Sequence, residues 1–191
     1  MKKFYFFIVI GCLFTVMSCK HQCPSFNNDV LSWIPYQEND VVELYSESND
    51  SIIKFSIKSV IVLHQTEYSN NSKCGTCDDQ IEITQNPDDY FEFNVSMSLH
   101  KNKLKNQYYR IGGTAFTTCI EYAEYVIFGE EYDRVRVFEA DVNQTFKTLF
   151  VVKGIGIVGL IDRDDQFWAL KNAKAKESKT GEGIIFSETS C

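Results

Sequence analysis

Histidine and repeated cysteine motifs are scarce in this sequence, and their scarcity bears on metal binding. The three histidines, His21, His64 and His100, show no ligand spacing, and the chain holds a single C-x-x-C motif. The acidic stretch 162–165 lacks the D-x-[DN]-x-[DN]-G order of a calcium loop, and its aspartates are typical of a turn. We therefore expect neither a metal nor a cofactor.

Clusters of basic residues are also missing. The 191-residue chain carries 19 Lys and Arg against 26 Asp and Glu, a net charge of −7. Its one basic stretch, residues 171–179, is interrupted by Glu177 and indicates a solvated tail. An acidic chain without a Lys/Arg cluster is a poor partner for nucleic acid, so no nucleic-acid partner is expected.

Apolar runs of membrane-spanning length are absent as well. An uncharged, largely apolar run covers residues 4–17 and follows Lys2 and Lys3. Its length suits the core of a signal peptide but falls short of the roughly 20 residues that a spanning helix needs. The sequence therefore predicts export, with residues 1–18 as a signal peptide.

Two cysteines follow the bacterial lipobox pattern of an aliphatic residue, a spacer, a small residue and cysteine. VIGC ends at Cys12, and VMSC ends at Cys19. Cleavage before Cys12 would leave a very short apolar core and an apolar start to the mature chain, whereas cleavage before Cys19 leaves polar residues. We predict lipidation of Cys19, whose several acyl chains would anchor the protein, since one chain binds only marginally. The alternative is an ordinary signal peptidase that cuts after Ser18.

The remaining cysteines predict disulfides, because export leads to an oxidising compartment. The best local pairing joins Cys74 to Cys77, and the others would share one more bond whose connectivity stays open: Cys23, Cys119 and Cys191. A redox-active C-x-x-C is a weaker hypothesis, because a thiolate there needs a helix N-terminus. Two aspartates follow Cys77 instead and disfavour a thiolate, and the next residues alternate as a strand.

Alternation with a period of two dominates the chain after residue 40. Residues 53–58 alternate apolar and charged or polar, and residues 91–100 place Phe91, Phe93, Val95 and Met97 on one face. One dry and one wet face are typical of antiparallel sheets. Residues 60–63 are apolar on both faces and predict a central strand. We expect an all-β, mainly antiparallel fold with little helix, as an open half-barrel or a β-sandwich-like sheet.

The pattern also divides the chain. A lipid-anchored tether and an irregular segment cover residues 19–40, where Trp33, Ile34 and Tyr36 are expected to pack on the edge of the domain. The β-domain covers residues 41–172, and a polar tail with at most one short edge strand covers residues 173–191. The stretch GIGIVG at 154–159 precedes a turn rather than a helix, so its glycines indicate a bulge or a close backbone approach, not a dinucleotide site.

Two stretches carry a resemblance. W-I-P-Y-x-x-x-D at 33–40 and V-K-G-I-G-I-V-G-x-x-D…D-x-x-W-x-L at 152–170, together with the lipobox, resemble small uncharacterised envelope lipoproteins of Bacteroidetes-type bacteria. The closing stretch is similar to the last hairpin of envelope β-domains that form an open, half-barrel sheet. These motifs concern packing and turns, so the resemblance implies no catalytic or binding residue. The non-acidic residues after Cys19 favour the periplasmic side of the outer membrane.

Three functions are compatible with these patterns. The first is a non-enzymatic lipoprotein, held on the membrane by the lipid on Cys19, whose β-domain contacts an envelope protein or supports an assembly. The second is a carrier whose concave sheet face, with Phe91, Phe93, Val95 and Met97, binds an apolar or lipid ligand, although such residues more often fill a core. The third is thiol-disulfide exchange at Cys74 and Cys77. Carboxylate pairs such as Glu121 and Glu124 do not predict a converging acid–base site, so no catalytic residue is assigned and no enzyme is expected.

Overall fold

The computed structural model describes residues 26–46, 48, 50–67, 76–85, 92–100, 103–170 and 183–187. In these ranges eleven antiparallel strands follow one short helix. The helix is α1 (Asn28–Leu31), and the strands are β1 (Val41–Ser46), β2 (Ser51–Glu67), β3 (Thr76–Gln85), β4 (Phe93–His100), β5 (Lys103–Ile111), β6 (Thr114–Ile127), β7 (Glu130–Ala140), β8 (Phe146–Val152), β9 (Gly156–Asp162), β10 (Phe167–Leu170) and β11 (Gly183–Ser187). The prediction of an all-β, mainly antiparallel fold with little helix is confirmed.

Strands β1 to β10 form a meander that closes on itself. Each strand pairs with the next one along the chain, and β10 pairs with β1 through Leu170 with Leu44 and Ala169 with Tyr45. The result is a ring of ten strands that is not a regular barrel. The expected half-barrel or sandwich-like sheet is thus closed, because a short ladder joins strands from opposite ends of the meander.

Two tight turns have the geometry that their residues predict. Gly112 and Gly113 connect β5 to β6, and Phe128 and Gly129 connect β6 to β7. All four residues have positive φ, between 51° and 81°. Two-residue connections of this kind match the right-handed twist of the flanking strands. Glycine adopts positive φ without strain, so its position in the sequence marks both turns.

The chain before β1 fills the interior of the ring. We call residues 26–40 the plug segment. Trp33 is 1% exposed and lies with Ile34 and Tyr36 in the main core, to which all ten strands of the ring contribute. The expectation that these three residues pack on the edge of the domain is wrong. Asn27 caps α1 by accepting a hydrogen bond from the Val30 amide at 2.8 Å.

A second core lies on the outer face of β8, β9 and β10. Alternate residues of these strands belong to the two cores, as Leu149 and Phe150 do on β8. The tip of the β6–β7 hairpin covers the second core: the Phe128 ring centroid lies 5.3 Å from that of Phe167, and its ring packs on Gly159. A Cβ at Gly159 would lie 2.3 Å from the Phe128 ring, so this glycine marks a close approach, as its sequence context predicts.

Strand β2 is much longer than its neighbour β1. The ladder between them ends at Val41 with Ser56, and β2 continues to Glu67. We call residues 57–67 the β2 extension. Residues 60–63 belong to it and form a strand, as predicted, but they are 37–44% exposed, so the burial expected on both faces is not found. Beyond Ile57, β3 is the only strand that pairs with β2 among the residues that the structure describes.

Substitution of two glycines tests the packing of the plug segment. Gly154 and Gly156 both have positive φ, so alanine at either position should cost about 1 kcal/mol of unfolding free energy. Only at Gly156 would the added Cβ meet a neighbour, the Tyr36 hydroxyl at 2.5 Å, whereas nothing lies within 4 Å at Gly154. We expect Gly156→Ala to lose about 1–3 kcal/mol more than Gly154→Ala in urea unfolding. Equal losses would contradict the position of Tyr36.

Candidate functional site

A buried cluster of charged and polar side chains lies beneath the plug segment. Glu121 on β6 and Arg136 on β7 are cross-strand neighbours, and both are largely buried. Arg136 donates to Glu121 Oε2 from Nη2 at 3.0 Å and from Nε at 3.1 Å. Arg134 donates from Nε to the other carboxylate oxygen at 2.9 Å. One carboxylate therefore accepts hydrogen bonds from two guanidinium groups.

Arg136 also connects the sheet to the plug segment. Its Nη1 donates to Gln107 Oε1, Gln107 Nε2 donates to the Tyr109 hydroxyl at 2.8 Å, and that hydroxyl donates to the Trp33 carbonyl at 3.3 Å. The guanidinium carbon lies 3.8 Å from the centroid of a Trp33 ring, within the range of a cation–π contact. The cluster thus holds Trp33 by its backbone and by its indole.

The cluster lies where the ring splits. Strands β5 and β6 pair over only three residue pairs next to their turn. Farther along β6, strand β11 pairs with the edge of β6 that β5 no longer covers. Gln107 is on β5 and Arg136 is on β7, so their hydrogen bond joins the two sides of the split. Side chains bridge the ring where the backbone ladder between β5 and β6 has ended.

Burial sets the electrostatics of the cluster. It raises the pKa of Tyr109 well above its usual value, so the hydroxyl keeps its proton and donates at neutral pH. Burial also lowers the pKa of Arg136, and the charge of Glu121 opposes that shift. Because the Glu121 carboxylate accepts from two arginines and Arg136 connects through Gln107 and Tyr109 to the Trp33 carbonyl, the arrangement orients the plug segment.

A cleft of about 780 Å³ opens beside the plug segment, at the end of the ring where β1 begins and β10 ends. Its volume lies within the range of small-molecule pockets. Its rim holds the ion pair of Lys54 and Glu43 at 3.4 Å, and the Tyr36 ring forms part of its wall. It is lined by Pro35, Tyr36, Asp40, Val41, Val42, Glu43, Lys54, Gly154, Ile155, Ile157 and Leu170. Charged and apolar side chains meet in this cleft.

The predicted apolar ligand face is only partly described. Phe93 and Val95 are fully buried in the main core, where Phe93 stacks on Phe55 with ring centroids 4.1 Å apart. Met97 lies on β4 opposite Ile81, and its side chain, like all of Phe91, lies outside the described residues. The two described side chains therefore contact other core residues.

The structure describes two of the cysteines that the sequence singles out, Cys77 and Cys119. Cys77 lies on β3 opposite Thr66, so this strand begins earlier than the alternation of residues 80–84 predicts, and Cys119 is buried in the main core. Cys19, the predicted lipidation site, and the other cysteines with predicted roles lie outside the described residues: Cys23, Cys74 and Cys191. The disulfide pairing stays a prediction.

The acidic stretch after β9 forms a turn. One carboxylate oxygen of Asp162 accepts hydrogen bonds from the amides of Asp164 and Gln166, at 3.0 and 2.9 Å. Among the residues that the structure describes, no three His, Cys, Asp or Glu side chains group as a metal site. In the same part of the chain, every helix is too short or too polar to span a membrane.

Sequence patterns did not single out the buried cluster. The sequence pairs Glu121 only with Glu124, as two carboxylates that do not converge. The available signal is a charge between two apolar residues, since Arg136 stands between Val135 and Val137. A buried charge needs a partner, but its identity depends on the register of β6 against β7, which the local pattern does not give.

Loss of the Glu121 charge should destabilise the protein, because Arg136 would keep a buried charge without an ionised partner. We expect Glu121→Gln to lower the free energy of unfolding by about 3–5 kcal/mol. Glu124→Gln, on the exposed side of the same strand, is the control and should change it by less than about 0.5 kcal/mol. Replacing the pair by Glu121→Leu with Arg136→Met should recover only part of the loss in urea unfolding, because the buried Gln107 Oε1 then loses the donor Arg136. Equal stability of the two Gln variants would rule out the buried pair.

No protein-family model, curated protein or solved structure matches this chain.

Proposed function

We propose that this chain is an exported cell-envelope lipoprotein, anchored to the outer membrane by lipid on Cys19 and facing the periplasm. Its β-domain acts as a non-enzymatic interaction or structural module. The observation that carries this proposal is the filled interior of the ring. A module whose own chain occupies its interior contacts other molecules through its exterior.

The plug segment supports this assignment by what it buries. Four of its aromatic and aliphatic side chains lie in the main core, each at most 9% exposed: Phe26, Trp33, Ile34 and Tyr36. Its polar groups are also engaged, since the Tyr36 hydroxyl accepts from the Ile157 amide at 2.7 Å and the Ser32 carbonyl accepts from the Gly154 amide at 2.6 Å. Displacing the segment for a ligand would break these contacts.

The same segment links the anchor to the core. Cys19 precedes Phe26 by seven residues, which span at most about 25 Å when extended. Phe26 is already buried in the main core. A lipid on Cys19 would therefore hold the domain close to the membrane through a segment that the ring encloses, rather than at the end of a long linker.

The cleft favours a second candidate, a carrier or binder of an apolar or lipid ligand. Its volume of about 780 Å³ suits a small molecule, and Val41 and Ile155 on its rim expose apolar side chains. The ion pair of Lys54 and Glu43 on the same rim would favour a ligand with one polar end. On this hypothesis the ligand site is the cleft beside the plug segment, not the interior of the ring.

Replacement of Cys19 tests the anchor. We expect Cys19→Ser to abolish incorporation of labelled palmitate and to move the protein from the detergent phase to the aqueous phase on Triton X-114 partition, because the acyl chains are lost. Cys12→Ser is the matched control and should behave like the unchanged protein. A mature, unlipidated protein that begins at Cys19 in the unchanged chain would instead support the ordinary signal peptidase.

Native mass spectrometry separates the two functions. We expect the purified protein to show the same mass before and after gentle organic extraction, because the main core is filled by the chain itself. Lipid on Cys19 is covalent and would survive extraction, so it does not confuse the result. An added mass that extraction removes would favour the carrier. If a Tyr36→Ala variant no longer carried the added mass, the ligand would be assigned to the cleft.

A further inference from the structure

The β2 extension exposes apolar side chains on both of its faces. Val60 pairs with Ile83 and Val62 pairs with Ile81, so these two valines are on the core side of the sheet, because cross-strand partners share a face. The side chains between and after them, Ile61 and Leu63, are on the opposite side. A register shift between Ile57 and Ser59 produces this change of face along β2.

One edge of the same segment lacks a partner strand within the described residues. Strand β1 covers β2 only as far as Ser56, and Asn39 and Asp40 then hydrogen-bond to the backbone of Ile57. Beyond Ile57 only β3 pairs with the extension among the described strands. An apolar strand with an unpaired edge is a surface that proteins normally cover or blunt with charge.

The extension lies at the end of the ring where the chain enters. In an antiparallel meander the end of β2, the start of β1 and the turn between β8 and β9 share one end of the sheet. Helix α1 contacts that turn, because Asp29 pairs with Lys153 and the Gly154 amide donates to the Ser32 carbonyl. Residues 19–25, between the proposed anchor and the first described residue, reach at most about 25 Å from Phe26.

We propose that the β2 extension contacts the membrane that carries the anchor, with the side chains of residues 60–63 at the boundary between headgroups and acyl chains. This inference rests on the proposed lipidation of Cys19. The short tether brings this end of the ring to the lipid surface. A partner that covered one face of the sheet would leave two apolar side chains in water, whereas an interface that surrounds the edge contacts both faces.

The depth of this contact follows from the backbone. An unpaired strand edge is not tolerated in the hydrocarbon core, because its amides and carbonyls would lose their hydrogen bonds. Hydrated headgroups satisfy those groups while the apolar side chains reach the acyl boundary. Lys58, exposed at the start of the extension, is placed to meet lipid phosphates.

Tryptophan probes with bromine-labelled lipids test the contact. Full-length lipidated Leu63→Trp is reconstituted into phosphatidylethanolamine and phosphatidylglycerol vesicles, with Val142→Trp as the matched control. Val142 is 83% exposed in the turn between β7 and β8, at the opposite end of the ring. We expect brominated acyl chains to reduce the added emission of Leu63→Trp about twofold, as for an interfacial side chain, and to leave that of Val142→Trp unchanged.

The outcomes separate this inference from the anchor. Retention on the vesicles with equal quenching of both probes overturns the membrane contact and leaves the anchor intact. A protein whose mass shows no lipid on Cys19 overturns both proposals. A Leu63→Trp protein that is unquenched and dimeric in detergent assigns the edge to a second copy of the chain. Ile61→Trp, on the same face, serves as the second probe if Leu63→Trp does not fold.

Discussion

The plug segment and all ten strands of the ring share one main core, and the rest of this structure depends on that packing. Side chains alone fill a ring of about eight strands. Here the plug segment contributes to the interior as well, with Trp33 1% exposed. Backbone inside the ring needs hydrogen-bond partners. The Gly154 amide donates to the Ser32 carbonyl and the Tyr109 hydroxyl donates to the Trp33 carbonyl, both in the plug segment. The ring and the segment before it therefore form one core.

The buried charges give the plug segment its position. An apolar interior would accept Trp33 in several orientations, since dispersion contacts have little directionality. The hydrogen bonds from Arg136 through Gln107 and Tyr109 to the Trp33 carbonyl select one of them. A buried ion pair contributes little net stability compared with apolar residues of the same volume. Its role here is to fix the orientation of Trp33. The same side chains hold the ring together at the split between β5 and β6.

Local features of the fold could be predicted from the sequence, and long-range ones could not. Alternation over residues 53–57 indicates a strand, and the glycines at 112, 113 and 129 indicate turns. Both signals can be read from the sequence because each depends only on residues that are neighbours in the chain. The closure of β10 onto β1, the position of Trp33 and the pairing of Glu121 with Arg136 join residues far apart in the chain. Each depends on the register of the whole ring. The candidate site consists of such contacts, which is why sequence patterns missed it.

The apolar stretch at residues 60–63 shows a further limit of periodicity. A strand that is apolar on both faces must be covered on both, but the pattern does not say whether protein or lipid covers it. In this ring β1 ends before the stretch, so the protein covers it only in part. The cleft beside Tyr36 opens at the same end of the ring. If this end faces the membrane, as proposed, the proposed anchor, the exposed strand and the cleft would lie at one surface.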